Sequence, residues 1–483
     1  MKNKKIQQTE ASRRDFIKSS ALAFAGITLI PRHVLGGPGF IAPSDKLRVA
    51  SIGVGGMGYG DLTGVHKSGK VDIISLCDVD DTRAAKGRQD HSKASYYKDY
   101  RVLLEKEEKN IDAITVSTPD HMHAVQAMMA MKMGKHVYVQ KPLSHDIYEA
   151  RMLTQAAEKY RVVTQMGNQG SSGDGVRKMV EWYEAGLIGE ATKVWSWTNR
   201  PVWPQGIPWP STPIAPPADL DWDLWLGTAP YKDYVGNLVP FNWRGWWDYG
   251  TGALGDMACH IMDPVFRCLP ILYPSDVECS VASIWKGMWD DTANTDSCPP
   301  STIIHLTYPR TDGKKGDIKV SWYDGGLLPQ RPDELLPEEA FGNWDGGVLF
   351  IGTKGKLLAD CYGAKPRLLP TKLMKDVKMP KQTIQRVPEG HYLQWVNACI
   401  AGYGNGKTSS PFEFAGPFTE SILIGNLAIR SWMMKNPNLK GWNDKYLGRK
   451  KLIWDAKNMQ ITNFDPANQF VKRDYRDGWK LEL

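Results

Sequence analysis

Six residues, Gly53-Val54-Gly55-Gly56-Met57-Gly58, constrain this chain more than any others. They follow the apolar run from Leu47 to Ile52, which reads as a buried strand, and they open a helix-length segment. A G-x-G-x-x-G turn between strand and helix needs glycine because the chain reverses tightly there, and because its backbone must approach a pyrophosphate at the helix N-terminus. The motif alone is weak, and its surroundings strengthen it. A second strand, VDIISLCDVD, follows, and Asp78 stands twenty residues beyond Gly58. A carboxylate at that strand end would hold a ribose 2'-hydroxyl and repel a 2'-phosphate, which favours NAD over NADP. Asp80 and Asp81 read as a solvated turn or helix cap, with Asp80 a rival for the ribose role.

The alternation of period continues. Ile111 to Val116 reads as a strand, Ser117 to Asp120 as a loop, His121 to Met133 as a helix and His136 to Val139 as a strand. A further helix, Ile147 to Tyr160, leads to the strand VVTQMGNQ. Strands alternating with helices predict an α/β Rossmann domain, a doubly wound parallel sheet whose ligand lies at the carboxyl ends of the strands. From Thr192 onward, ATKVWSWTNR, DVECSVASIW, STIIHLTY and DIKVSWYD read as strands of an open, mostly antiparallel sheet in an α+β second domain. The expected boundaries are 45–168 for the first domain and 169–483 for the second. Pro201 to Leu226, rich in Pro and Trp, is too long for an ordinary connector and reads as a functional loop or an oligomer arm.

Residues 1–40 stand apart. SRRDFIK, from Ser12 to Lys18, and the 13-residue apolar run Ser19 to Pro31 resemble a twin-arginine export signal. The run is shorter than the roughly 17 to 25 residues a transmembrane helix requires. No sharp small-residue cleavage site precedes Gly36 and Gly37, so an uncleaved tether is the alternative to a removed signal. Residues 1–37 hold seven Lys/Arg and two Asp/Glu, so they carry +5 of the formal +7, and the remainder gives no reason to invoke nucleic acid or an anionic membrane surface. Seven scattered cysteines with no Cys-x-x-Cys pair argue against a disulfide framework or a zinc site and leave only an isolated bridge open.

Taken together, the glycine turn, TPDHMHA (Thr118 to Ala124), VQKPL (Val139 to Leu143), GTGALGDMACHIMD (Gly250 to Asp263) and FTESILIGNLAIR (Phe418 to Arg430) resemble the glucose-fructose oxidoreductase, inositol dehydrogenase and MocA (Gfo/Idh/MocA) family. The resemblance spans essentially the whole chain after the signal, and matches its exported subset. It implies cofactor contacts from Thr118, Pro119, His123, Gln140 and Lys141, a cis bond before Pro142 that aims the lysine, and Lys141, Asp256 and His260 as the catalytic group. It also implies a second-domain sheet with one face over the active site and the other used for homo-oligomer contact. One departure is visible. Gln140 replaces the family's usual glutamate, removing an anion that would hold the proton on Lys141.

Read for chemistry alone, Asp256 and His260 lie four residues apart, on one face of a helix. A carboxylate beside an imidazole would orient it and raise its basicity, fitting it to take a hydroxyl proton, while Lys141 would hydrogen-bond a developing alkoxide. The alternative has Asp256 as a helix cap and His260 as a satisfied interior histidine. As metal ligands, Asp256, His260 and Asp263 are too few and poorly matched, so no metal is expected. Asp120, His121 and His123 are expected at the nicotinamide edge, with Asp120 toward substrate or merely capping a helix. Gln165, Asn168 and Gln169 stand at a strand end, Gln169 toward cofactor and Asn168 toward substrate. Trp243, Arg244, Trp246, Trp247, Asp248 and Tyr249 form the densest aromatic and charged cluster. Aromatic faces with Arg and Asp suit a sugar, so Trp243, Arg244, Trp247 and Asp248 are assigned to substrate, against the alternative of a Trp-rich packing corner.

The sequence therefore leads to an exported, periplasmic oxidoreductase acting on a sugar, glycoside or polyol hydroxyl. The alternatives are an NAD-dependent glycoside-cleaving enzyme of the same superfamily and a non-catalytic carbohydrate-binding protein. The twin-arginine translocase exports folded proteins into a compartment without a free nicotinamide pool, so the NAD is expected to travel bound and to be regenerated within each turnover.

Overall fold

The apolar strands pair as the alternation predicts. The computed structural model describes residues 45–288, 290–291, 295–436 and 446–483. Strands β1 (Leu47–Ile52), β2 (Val71–Cys77), β3 (Ser95–Tyr97), β4 (Ala113–Val116), β5 (His136–Val139) and β6 (Thr164–Met166) form one sheet in the order β3-β2-β1-β4-β5-β6. All its pairings are parallel. β1 and β4 are buried almost throughout, as strands covered on both faces must be. The helix Ile147–Tyr160 has the predicted limits because Asp146 and Glu149 close a reciprocal capping box at its start. The helix predicted from His121 begins instead as a 3-10 turn, Asp120–Met122, and becomes α-helical at His123–Lys132. Such turns are common at helix N-termini.

The second sheet holds β7 (Ala191–Trp197), β8 (Asp276–Val281), β11 (Thr302–Tyr308), β12 (Ile318–Tyr323), β13 (Gly347–Gly352), β14 (Lys356–Asp360), β15 (Ala364–Leu369), β16 (Leu452–Asp455) and β17 (Gln460–Ile461). Their order is β15-β14-β13-β7-β12-β11-β8-β16-β17, and a small hairpin pairs β9 (Trp285–Gly287) with β10 (Asp290–Asp291). Within the large sheet only the β7–β12 pairing is parallel. The fold is thus an N-terminal Rossmann sheet followed by a mixed, mostly antiparallel nine-stranded sheet.

Packing crosses the division expected after residue 168, and residues 47–483 form one unit. Trp395, Val396 and Cys399 of the helix Gly390–Ala401 pack against Leu47, Val49 and Tyr138 of the Rossmann sheet. The long helix Phe412–Trp432 runs against the helix Ile147–Tyr160, where Arg151 makes a bidentate ion pair with the buried Glu420. The helix Gly252–Ile261 is buried along its whole length and meets both the helix Phe412–Trp432 and the cavity at the Rossmann strand ends.

The Trp-rich insertion 201–226 folds back on its own chain. Trp209 meets Trp246 edge-on at 4.8 Å, Trp222 stacks on Trp225 at 4.8 Å, and Trp225 meets Tyr249 at 4.9 Å. Residues 210–218, in the middle of the insertion, are exposed. All seven cysteines are buried and unbridged, which removes the isolated bridge left open above. The twin-arginine stretch and its apolar run lie outside the described residues. Among the described residues no helix is long and apolar enough to cross a membrane.

Beneath the strand ends lies a buried carboxylate, Asp61, on the helix Met57–His66. It accepts hydrogen bonds from Ser117 Oγ at 2.7 Å, from Tyr392 Oη at 2.8 Å and from Gln140 Nε2, which sits 2.9 Å from both its oxygens. Burial pushes the Asp61 pKa up to about 6 against those donors. The amide at position 140 therefore has a partner that a glutamate would repel. An acid with a raised folded pKa sheds stability as pH climbs from the unfolded carboxylate range through about 6. Gln140→Glu, which sets a second carboxylate against Asp61, is expected to cost about 3 kcal/mol near pH 8, and less near pH 5 where the pair retains a proton. Thermal or denaturant melts at the two pH values check this, and a penalty independent of pH would point to packing rather than charge.

Candidate active site

A cavity of about 450 Å³ runs along the carboxyl ends of β1, β2, β4 and β5, between the Rossmann sheet and the helix Gly252–Ile261. That volume falls in the range of small-molecule sites. Gly53, Gly55, Gly56 and Met57 line it, as predicted. Gly53 has φ +75°, and a Cβ there would sit 2.7 Å from Ser117 O. Gly58 is different. It does not line the cavity, and a Cβ on it would meet Gly53 O at 2.0 Å, so its smallness serves the contact between helix and loop. The loop and the following helix start form a backbone cradle of the kind a pyrophosphate requires.

At the end of β2, Asp78 Oδ2 accepts the Val54 N–H at 2.8 Å and Oδ1 accepts the Asp80 N–H at 3.1 Å. Burial raises the Asp78 pKa, and these backbone donors oppose it. The carboxylate thus braces the glycine loop while facing the cavity. Asp80, its rival for the ribose, caps the helix Asp81–Asp90 by accepting the Arg83 N–H at 2.9 Å. The donor set, a glycine cradle with an acid at the second strand end, fits a dinucleotide.

At the other end of the cavity, Lys141 reaches Asp256. The Lys141–Pro142 bond is cis, as the resemblance implied. Lys141 Nζ donates to Asp256 Oδ1 at 2.7 Å and to Asp256 O at 3.0 Å, and Arg244 Nε lies 3.3 Å from the same Oδ1. Burial would raise the Asp256 pKa, but Lys141 and Arg244 overcome it and hold the carboxyl well below the usual carboxylate range. Two expectations are corrected here. Lys141 has not lost its anion, because Asp256 supplies one in place of the missing glutamate. Nor does Asp256 orient His260. Two residues four apart share a helix face, but this carboxylate is drawn to the two cations delivered from outside the helix.

His260 lines the same cavity, with its ring 4.6 Å from that of Tyr362 and tilted 55° to it. Burial and then the Lys141 charge drive its pKa well below the ordinary histidine range, so the imidazole is neutral. Its Nδ1 is buried and has no partner among the described residues. An ammonium has three N–H donors, and Asp256 takes two of the Lys141 set, which leaves one for a bound oxygen. A neutral base and a cationic donor therefore face one space.

The remaining predicted residues divide. Thr118, Pro119, Gln140, Gln169, Asp120, Trp243 and Arg244 line the cavity. Arg244 stacks on Trp243 and Phe241, at 4.3 and 4.4 Å from the ring centres. Asp120 also ties the loop to the helix start, its Oδ2 accepting from Thr251 N at 3.1 Å and Thr251 Oγ1 at 2.7 Å. His123 does not reach the cavity. Its ring bridges Pro142 O and Thr118 O, both at 2.8 Å, and fixes the two loops relative to one another. His121 is likewise inside, between Tyr249 O and Trp225 O.

Asn168 is not a substrate contact, because its amide donates to Asp263 Oδ1 at 3.0 Å, away from the cavity. Gln165 is taken up by His391 O and Ser409 N. Trp247 points into the core beneath Arg430, and Asp248 pairs with Lys232 at 2.7 Å, so neither serves substrate. Asp263 is held by Arg267 at 2.8 Å and by Ser171 at 2.8 Å, which separates it from His260 as a ligand set.

Several lining residues were missed by the sequence reading, among them Tyr362, Arg200 and Trp479. Tyr362 sits at φ +66° in the turn between β14 and β15, where the dipeptide Tyr-Gly was the only signal. Arg200, just beyond β7, reaches Asp345 at 2.9 Å. Trp479 arrives from the far C-terminus.

Comparison with known proteins bears on this architecture. A family model described as an oxidoreductase family with an NAD-binding Rossmann fold matches residues 47–168, and its companion, the C-terminal alpha/beta domain of the same family, matches residues 179–286. Among curated proteins, a glycosyl hydrolase family 109 protein of Shewanella pealeana is 28% identical over 202 residues, 37% of this chain and 44% of that protein. One of Solibacter usitatus is 30% identical over 199 residues, 38% and 44% respectively. The chain thus spans less than half the length of these curated relatives. The fold is shared with the WlbA dehydrogenase of Bordetella pertussis in complex with NADH and UDP-GlcNAcA, at a TM-score of 0.53 and 16% identity over 79% of this chain and 95% of that one. It is shared also with a levoglucosan dehydrogenase in complex with NADH and levoglucosan, at 0.52 and 15% over 80% and 98%. With the glycine cradle, the six-stranded parallel sheet and both halves of the family pattern present, residues 47–168 are an NAD-binding Rossmann domain and the chain belongs to the Gfo/Idh/MocA oxidoreductase family.

Proposed function

We propose that this chain is an exported enzyme that carries NAD and oxidises a hydroxyl-bearing carbon of a sugar, glycoside or polyol. The observation that carries the reading is the convergence of Lys141, Asp256 and the neutral His260 on one cavity beside the glycine cradle. The nicotinamide supplies hydride acceptance when bound. His260, uncharged and buried, takes the hydroxyl proton, and the remaining Lys141 N–H steadies the oxygen as charge develops on it. Asp256 aims the lysine through two hydrogen bonds. Trp243, Phe241 and Arg244 offer an aromatic and cationic wall suited to the faces and hydroxyls of a sugar.

A second reading keeps the same first step. The curated relatives are named glycosyl hydrolase family 109 proteins, which favours oxidation of a sugar carbon as the prelude to cleaving a glycosidic bond. Residues 1–40 are proposed as a twin-arginine signal, the nine-stranded sheet as the homo-oligomer face, and the cycle as redox-neutral.

Lys141→Met and His260→Ala are each expected to lower turnover about 10²- to 10⁴-fold without releasing nucleotide, measured with a panel of sugars and glycosides and the reduced-nicotinamide absorbance. Wild-type turnover in either variant would overturn the assignment. A ketosugar product supports the first reading and a cleaved glycoside the second. The pH profile gives a separate check. Because burial lowers the His260 pKa, its base form persists on acidification, so the acidic limb should fall below the ordinary histidine value of about 6.5. A limb centred at that value would exclude His260 as the buried base described here.

A further inference from the structure

The adenosine end of the cavity is completed by residues from outside the nucleotide domain. In a doubly wound sheet the acid after the second strand marks the adenosine half of the dinucleotide. Beyond Asp78 that end is lined by Val79, Lys98 and Tyr100 from the Rossmann sheet, and by Leu224, Trp225 and Trp479 from two segments distant in sequence.

The first segment is the end of the Trp-rich insertion. It is laced to the loop after β2 by an isolated bridge between Asp80 and Leu220, by Asp81 N–H to Asp219 O at 3.1 Å and by Asp221 N–H to Val79 O at 2.9 Å. Lys98 Nζ spans both strands of this lacing, donating to Val79 O at 3.1 Å and Asp219 O at 2.9 Å, and Thr82 Oγ1 donates to the Asp219 carboxylate. Leu224 and Trp225 follow on the short helix Trp222–Leu226.

The second segment is the C-terminal tail. Arg473 anchors it through Glu149 Oε1 at 2.7 Å and His121 O at 2.6 Å. Arg476 then ties the tail to the insertion, its N–H to Thr228 O at 3.1 Å, its Nε to Gly227 O at 3.1 Å and its Nη1 to Asp223 Oδ1 at 2.5 Å. The result is to set Trp479 at the cavity wall, its ring 6.2 Å from that of Tyr100 and 4.4 Å from the Arg101 guanidinium.

We propose that Tyr100, Leu224 and Trp479 form the adenine subsite, and that the insertion and tail, joined through Arg476, close over the adenosine half and make NAD a resident group of this chain. The proposal rests on the NAD site described above and deepens it. Adenine is a flat, weakly hydrated ring system, and an aromatic wall with an apolar side chain recognises it by stacking and burial. A nucleotide covered by two interlocked segments leaves only when they part, so its dissociation is governed by their opening.

The test uses the full chain as purified. Nucleotide is quantified by mass after denaturation, and its exchange is followed with labelled NAD. Wild type should retain nucleotide through gel filtration. Trp479→Ala should release it about tenfold faster or more, and Arg476→Ala, which removes the side-chain ties from the tail to Asp223 and Gly227 without changing a residue of the cavity wall, should move in the same direction. Circular dichroism with melting midpoints confirms that each variant is folded. If Trp479→Ala and Arg476→Ala hold NAD as wild type does, the subsite and its closure are wrong while the NAD site stands. If wild type exchanges NAD freely, the closure is wrong. If wild type neither retains nucleotide nor binds added NAD, the cavity itself has been misread.

Discussion

The contact between Lys141 and Asp256 is the constraint on which the rest of the site depends. It joins the end of β5 to the buried helix Gly252–Ile261 at 2.7 Å, and so fixes the relation of the Rossmann sheet to the residues behind it. Ion pairs removed from water are weak evidence for stability, because desolvation consumes much of the attraction. Their value lies in what an unpaired partner would do. Asp256 without its cations would be a buried carboxylate with no compensation, and Lys141 without Asp256 would have no reason to hold one geometry. The same ammonium adds to the burial that keeps His260 uncharged. One contact therefore aims the donor and places it where it helps to leave the base unprotonated.

Most of the Rossmann sheet was legible in the sequence, because two strong local signals coincide there. The glycine turn is forced by backbone approach, and the helix Ile147–Tyr160 carries its own capping box. The second sheet was legible in class from its β-branched and aromatic runs. Its register and the covering of the Rossmann sheet by the helix Gly390–Ala401 were not, since both depend on contacts between segments far apart in the chain.

Site residues were legible in proportion to how directly the motif met the cavity. Lys141, Asp256 and His260 come to the predicted place. The neighbours of such residues were harder to read, because a polar side chain that holds a loop and one that holds a ligand look alike in sequence. His123 and Asn168 are of the first kind, and both are spent on carbonyl or carboxylate groups behind the wall. Trp243 and Trp247 illustrate the same limit among aromatics. Trp243 lies in the 3-10 turn Asn242–Gly245 and Trp247 beyond its end, so the four-residue spacing gave no common face, and one lines the cavity while the other enters the core. The Gln140 departure was visible, but its meaning was not. Only the fold shows that Asp61 already occupies the adjoining space, and that Asp256 already supplies Lys141 with a charge.

Burial links these features to the chemistry. A histidine near a lysine in water would remain close to its ordinary pKa, since water screens the neighbouring charge. Enclosed by the second domain, the same imidazole is neutral and the lysine is still paired. The insertion and tail proposed to cover the adenosine half stand at the far end of the same cavity. A nucleotide held under such segments gives up rapid exchange. Such a trade suits a redox cycle that returns its hydride within one turnover, and it would burden an enzyme that must shed reduced nucleotide after every reaction. The wall around Trp479 and the neutral base opposite it therefore serve one cavity, the first by covering the nucleotide and the second by burial of His260.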